Sequence, residues 1–483
     1  MKRSDHYFIR QEGDTFGLYD KLLILYSALR CLAVTGLVAF FLASCNHHQQ
    51  DEKTAYDPNQ PIELTSFHPD SGRIREMILL DGNNFGSDPS AIKVFFNSSE
   101  AKVVGSTGTR ILALTPRMPG DTCILSVQIG NQKKEYQHEF RYKIEASVTT
   151  IAGNGRDTHI FDKGLDNCEL KPVYIAADKE YNVFVTENSD VFLRINTVTN
   201  TLSVIATKEQ GFNHRCPPSA NPLTNVLQQG AEGAENRDRF SFLDPRDGWA
   251  LKSKYIKTWD LNGCQLPSGG GTGNLNYASH FQCLYCEADG MYYTRYVGGQ
   301  IVRVNPETWE AKIIGMTPVG LTYGLAFHPK KPAELWIGYS ELTTPTGAEA
   351  ANGIYTLDVS DDTQGENNIL TSLRRVSTLA SSAGGHRDGP LTQALFLGIR
   401  MINFDTDGNL YVGDCRNHCI RMINTTTMMV STIIGIPGVA SPFKDGAREE
   451  ATFNTLHGIV TDPEGVIYVA DYHNNRVRRI AIE

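Results

Sequence analysis

Few residues in this sequence combine into a recognisable reactive group. Cys283-Leu284-Tyr285-Cys286 has the spacing of a metal knuckle or a redox pair. The segment reads as a strand, however, and side chains three apart on a strand face opposite sides, which argues against a shared zinc ion. No nucleophile elbow, metalloprotease helix or phosphate-binding loop occurs. Gly269 to Gly273 lacks the preceding strand and the following Lys-Ser/Thr that a phosphate loop needs. His386, His418 and His473 fall in loops or turns, with no spacing that implies a shared ion. His457 opens the apolar segment Leu456-His457-Gly458-Ile459, where packing at a strand start accounts for it. No cofactor and no resident metal are expected.

Binding chemistry is better represented. Arg387, Arg400, Arg416, Arg421, Arg476, Arg478 and Arg479 concentrate near the C-terminal end. Solvated strand faces explain such a set; the alternative is a basic patch for an anionic glycan, with Arg476 and Arg479 as contacts. Trp249, Trp259, Trp336 and Tyr339 stand beside predicted loops. Flat rings supply large apolar contact at low entropy cost and suit the C–H faces of sugars. These four aromatics and two arginines are the candidate ligand-binding residues.

The elements that would position them repeat. Tyr468-Val469-Ala470-Asp471 and Asn475-Arg476-Val477-Arg478 have earlier copies in Tyr411-Val412-Gly413-Asp414 and His418-Cys419-Ile420-Arg421, at an offset of 57 residues. The same offset carries Asp388-Gly389 onto Asp445-Gly446. Each copy alternates toward a turn and away again, as a hairpin does. A period near fifty points to propeller blades. Asp414 and Asp471 belong to this pattern, and turn hydrogen bonding is their expected work. With Gly458-Ile459 and the turn Asp462-Pro463-Glu464-Gly465, the passage resembles the NHL repeat, which implies a β-propeller. Asp162 heads an equivalent motif 226 residues before Asp388, close to four further steps, so the ring is expected to hold six blades. In related propeller lyases channel histidines hold a metal, and His457 is the residue that would correspond.

Val148-Thr149-Thr150-Ile151-Ala152-Gly153 matches Val430-Ser431-Thr432-Ile433-Ile434-Gly435, the last strand of the penultimate repeat. A propeller must close without an open edge. The strand at 148–153 is therefore expected to complete the last blade of a propeller spanning 148–483. The second blade, about 207–275, looks irregular, with a hairpin read from Trp249–Lys252 and Ile256–Trp259, and the fourth carries an insertion from Glu341 to Asn352. Cys415 and Cys419 flank a turn, where a cross-strand disulfide is one reading and two free thiols the other.

Residues 61–143 read as a separate β domain, with short strands such as Ile92–Phe96, Ile111–Leu114 and Ser126–Ile129 divided by Gly, Pro and Asn turns. Phe67-His68-Pro69, Leu80-Asp81-Gly82-Asn83-Asn84-Phe85-Gly86, Thr115-Pro116 and Val127-Gln128-Ile129-Gly130-Asn131 resemble an IPT/TIG domain, which implies an immunoglobulin-like sandwich acting as a spacer. The fold class expected is thus all-β: an IPT/TIG sandwich followed by a six-bladed NHL-type β-propeller.

Upstream, Leu32 to Leu42 is an apolar run of signal-peptide length ending in Leu42-Ala43-Ser44-Cys45. This resembles a bacterial lipobox, and implies a signal peptide over 1–44, lipidation of Cys45 and a polar tether over 45–60. Asp51-Glu52 resembles the export signal of outward-facing surface lipoproteins, although display on the periplasmic face stays open. A net charge of −9, with 20% charged residues, gives neither a nucleic-acid-attracting field nor a disordered composition. The resemblances together imply a non-catalytic, outer-membrane lipoprotein that captures a polysaccharide or oligosaccharide beside an importer complex. It would touch the membrane only through its lipid and bind no nucleic acid. The alternatives are a propeller lyase or hydrolase with a channel metal, and a protein–protein scaffold.

Overall fold

In a computed structural model of the chain, the residues described are 54–117, 122–232, 239–259, 279–280, 282–340, 351–360, 370, 372–377 and 384–482. The expected signal segment over 1–44, Cys45 and most of the expected fourth-blade insertion lie outside them. Among the described residues no helix is long and apolar enough to cross a membrane.

Alternation builds the first domain. Ile78 and Leu80 of Met77–Asn83 point inward, as do Ile111 and Ala113 of Arg110–Leu114. Val94 and Phe96 oppose them from Ile92–Phe96, and Leu125 and Val127 from Thr122–Ile129. Ser99–Ser106 belongs to both layers: its first residues pair with Ile92–Phe96 and its later ones with Arg110–Leu114. The result is a two-layered sandwich around Phe67, Phe96 and Phe140.

Six sheets of four or five strands follow, each running outward from an inner strand. The inner strands are Pro172–Ala177, Pro218–Ala220, Leu284–Tyr285, Gly324–His328, Ile399–Phe404 and Leu456–Thr461 for blades 1 to 6. Blade 2 differs from the expected hairpin. Leu251–Tyr255 pairs back onto Arg239–Leu243, and Lys257–Trp259, one residue later, leaves to run parallel to Glu310–Met316 at the rim of blade 3. A single intervening residue, Ile256, cannot reverse the chain, so the second run had to find another edge.

In blade 6 the outer position is taken by Ala146–Ala152, antiparallel to Arg476–Ile482, with Ile480 opposite Val148 and Val477 opposite Ala152. All four side chains are buried, and full burial of a valine or isoleucine contributes about 1.5–3 kcal/mol. A buried polar device repeats beneath these pairs. In blade 5 the Asp388 carboxylate accepts from Thr432 N at 3.0 Å and from Arg421 Nε at 3.0 Å, while Arg421 Nη1 reaches Asp414 at 2.9 Å. In blade 6 Asp445 accepts from Thr150 N and Arg478 Nε, both at 2.9 Å, and Arg478 Nη1 reaches Asp471 at 2.8 Å. Arg421 and Arg478 have no exposed side-chain surface. They are core ion pairs rather than solvated strand faces, and Asp414 and Asp471 are their counter-charges as well as turn acceptors.

Cys283 packs between blades 2 and 3 and Cys286 between blades 3 and 4, on either side of the two-residue strand Leu284–Tyr285. Cys415 and Cys419 are buried and form no disulfide. The sandwich meets the ring at the turn of blade 6 between its first two strands, where the Arg117 guanidinium donates to the carbonyls of Glu464 (3.1 Å) and Gly465.

Candidate functional site

The inner strands of the six blades surround a channel that encloses about 280 Å3, lined by Ala177, Ser219, Leu325, Met401 and Val460 among others. Two glycines set how narrow it is. A Cβ on Gly458 would lie 2.9 Å from Ile175 N, and one on Gly324 2.7 Å from Ile402 N, so neighbouring inner strands touch backbone to backbone. Only glycine permits that approach.

At the end where each inner strand begins, side chains from different blades meet over the channel. Tyr174 of blade 1 and Tyr323, just before the inner strand of blade 4, stack at 5.6 Å and 24°. Blades 1 and 4 are opposite one another in a ring of six, so this pair reaches across the axis. Tyr174 lies 6.3 Å from His457 at 23°, and His457 stacks on Tyr472 at 4.0 Å and 14°. The four rings form a nearly parallel layer. The Arg400 guanidinium sits 4.7 Å from the centre of the Tyr323 ring, and Lys171 Nζ 5.0 Å from that of Tyr472. Tyr323, His457, Tyr472 and Arg400 are half-buried and His473 is exposed.

Cations predominate around His457, although Lys171 Nζ is also paired with Asp157 at 3.4 Å. Burial pushes the His457 imidazole well below its usual range, and the charges of Arg400, His473 and Lys171 push it further. No carboxylate acts on it in the other direction. The ring is therefore neutral at pH 7, and its Nδ1 is buried without a hydrogen-bond partner. His418, beside it, uses its Nδ1 to accept from Thr455 N at 3.0 Å. Among the described residues no three His, Cys, Asp or Glu side chains gather as a metal site requires. The arrangement offers aromatic surface, a positive field and polar edges.

The residues expected from sequence to bind ligand are not brought together. Trp249 packs on Phe184 at 5.0 Å. Trp336 meets Phe404 edge-on at 5.8 Å and donates its Nε1–H to Glu334 at 2.8 Å. Tyr339 accepts from the buried Arg295 at 3.0 Å and donates to the Pro318 carbonyl at 2.8 Å. All three are buried, a correction with a simple cause: Trp336 on its strand, Trp249 in a turn and Tyr339 just past a strand end all pack into core clusters, so these rings are not free to stack on a ligand. Trp259 belongs to the strand at the rim of blade 3; its side chain lies outside the described residues. Arg476 stands at the mouth end, 3.4 Å over Phe443 and donating to Asn154 O at 3.0 Å. Arg479 pairs with Tyr468 lower in the blade, so the two arginines form no common patch.

Sequence reasoning passed over Tyr174, Tyr472 and Lys171. A signal was present. Tyr174, Arg400 and His457 are separated by the same 226 and 57 residues that relate the blades. One repeat position thus supplies a ring of large side chains around the channel mouth.

Comparison with known proteins agrees with this architecture. Residues 61–142 match the IPT/TIG domain model and residues 453–480 the NHL repeat model. No curated protein sequence matches the chain. Among solved structures, a Bacteroides thetaiotaomicron protein of unknown function superposes with a TM-score of 0.61 at 23% identity, covering 89% of this chain and 100% of its own. An auxiliary nutrient binding protein of the same organism gives 0.53 at 22% identity, covering 89% and 99%. Another, from Bacteroides ovatus, gives 0.54 at 19%, covering 89% and 100%. The chain joins an IPT/TIG domain to a six-bladed β-propeller whose last blade is an NHL repeat.

Proposed function

We propose that this is a non-catalytic binding protein of the bacterial cell envelope, which captures an oligosaccharide at the channel mouth. The observation that carries the reading is the layer of Tyr323, Tyr174, His457 and Tyr472 with the cations of Arg400 and Lys171 against its rings. Aromatic surface with fixed cations suits a sugar bearing a carboxylate or sulfate. Arg476, at the same end, is an outer contact. The fold shared with two proteins named for auxiliary nutrient binding supports a capture role. Lipidation at Cys45, outward display on the outer membrane and service to a polysaccharide importer complete the proposal.

Calorimetry on the chain from Tyr56 onward, against neutral and acidic oligosaccharides, tests it. Tyr472→Ala and Arg400→Ala should each weaken binding by roughly ten- to a hundredfold, the loss of an interface anchor. The Arg400 effect should shrink with salt; Trp259→Ala tests the rim of blade 3. Absence of any glycan affinity would sink the proposal. The orphaned Nδ1 of a neutral His457 favours one second reading, proton transfer in a lyase or hydrolase. Release of new sugar ends on incubation, lost in His457→Gln, would replace capture by catalysis.

A further inference from the structure

A second cavity lies at the opposite end of the strands, where the sandwich faces the turns of blades 4 and 5. It encloses about 1160 Å3, above the range of about 300–1,000 Å3 usual for small-molecule pockets, and domain interfaces are where such sites concentrate. The sandwich contributes Arg75, Lys102 and Arg117, and blade 4 contributes Lys330 and Lys331. Among the lining residues only Glu100 and Asp407 are acidic; Asp407 is already 3.8 Å from Lys330, and Glu334, outside the lining, is 3.6 Å from Lys331. Five cations against two carboxylates stand out in a chain whose net charge is −9. Like charges gathered in a cleft repel one another, and an anion that fills it removes that cost.

The floor of the cleft is rigid. His328 of blade 4 lies 3.0 Å from the Thr425 hydroxyl of blade 5, which donates to Gly408 O at 2.7 Å. A Cβ on Gly408, whose φ is +91°, would lie 2.9 Å from the His328 ring, so only glycine lets the two turns lock. The walls are not rigid in the same sense: Lys330 and Lys331 keep about three-fifths of their side-chain surface exposed, so they can turn onto a ligand without breaking a buried pair. Ser98, Asn409, Asn424 and Thr426 add hydroxyl and amide groups. No Phe, Tyr or Trp lines the cleft, which removes the base-stacking platform that single-stranded nucleic acid needs.

We propose that this interdomain cleft is a separate binding site for an acidic oligosaccharide, carboxylated or sulfated, held by both domains at once. Charge recognition dominates here, whereas the channel mouth works through rings. The test uses the chain from Tyr56 onward with Arg400→Ala and Tyr472→Ala in place, which silences the mouth. Tetragalacturonate and a chondroitin sulfate tetrasaccharide are titrated, with cellotetraose and inorganic sulfate as the neutral and free-ion arms. At least one acidic tetrasaccharide should bind, lose about tenfold or more in affinity with Lys102→Glu plus Lys330→Glu, and weaken with salt. Bound ligand should also shield Lys102, Lys330 and Lys331 from acetylation. The proposal fails if neither acidic sugar binds, if cellotetraose or sulfate binds as well, or if the charge reversals leave affinity and acetylation unchanged.

Discussion

Replacing Arg478 with methionine keeps most of the side-chain volume and removes the charge. In the native chain this guanidinium is fully buried and donates to Asp445, Asp471 and the carbonyls of Thr452 and Lys444. The substitution leaves the Asp471 carboxylate, also without exposed surface, with only Asn454 N and Asn474 Nδ2 as donors. Removing one partner of a buried pair costs about 3–5 kcal/mol, a large part of the roughly 5–15 kcal/mol that holds a domain together. Burial outweighs the arginine and already pushes the Asp471 carboxyl up to about 6; without Arg478 it rises further. A carboxyl raised above its unfolded value stabilises fully below the unfolded pKa and loses that contribution as pH climbs through the folded one. The deficit of Arg478→Met should therefore be greater at pH 8 than at pH 5. Urea unfolding at both pH values measures it, with the half-buried neighbour Arg479→Met as control, expected within about 0.5 kcal/mol of wild type. Equal midpoints for the two variants, or a deficit that grows toward acid, would refute the assignment of Arg478 as the buried tie of blade 6.

Three further outcomes can be checked. A chain beginning at Ala146 should melt cooperatively, whereas one beginning at Gly155 leaves Arg476–Ile482 as an open edge and should aggregate or melt much lower in calorimetry; equal melting would discount closure by the N-terminal strand. His457 has its folded pKa below the unfolded value, so its contribution falls as pH drops below about 6.5, by up to about 1.4 kcal/mol per pH unit. His457→Gln should flatten that part of the stability–pH profile, and an unchanged slope would mean that other histidines carry it. Cys45→Ser should release the protein from bacterial membranes on fractionation; continued retention would count against lipidation.

Much of the architecture was legible because it repeats. The 57-residue offset locates blades 5 and 6, and the pairing of Val148 with Ile480 can be read from the match between Val148–Gly153 and Val430–Gly435. Blade 2 was harder, because neither Pro218–Ala220 nor Leu227–Gln229 is long enough to show alternation. The site was less legible for a different reason. Trp336 and Tyr339 look like surface rings beside an insertion, yet burial depends on the adjacent blade, which is distant in sequence. Conversely, Tyr174, Tyr323 and His457 look like ordinary strand-start residues, and only closure of the ring stacks them over one axis. Arg421 and Arg478 misled in the same way: an arginine in a strand reads as solvated until its two aspartates, 7 and 33 residues away, fold around it.

The Asp445–Thr150 contact also has a temporal side. Its partners are 295 residues apart in the chain, so at about 5–20 residues per second the closing strand emerges about 15–60 s before the edge it will complete. Throughout that interval Ala146–Ala152 is a strand with unpaired backbone and apolar Val148, the kind of segment that recruits other chains. The sandwich, which precedes it and ends only at Tyr142, can fold at once and hold the waiting strand by its base. The first domain would then serve as a built-in guardian of the last pairing to form.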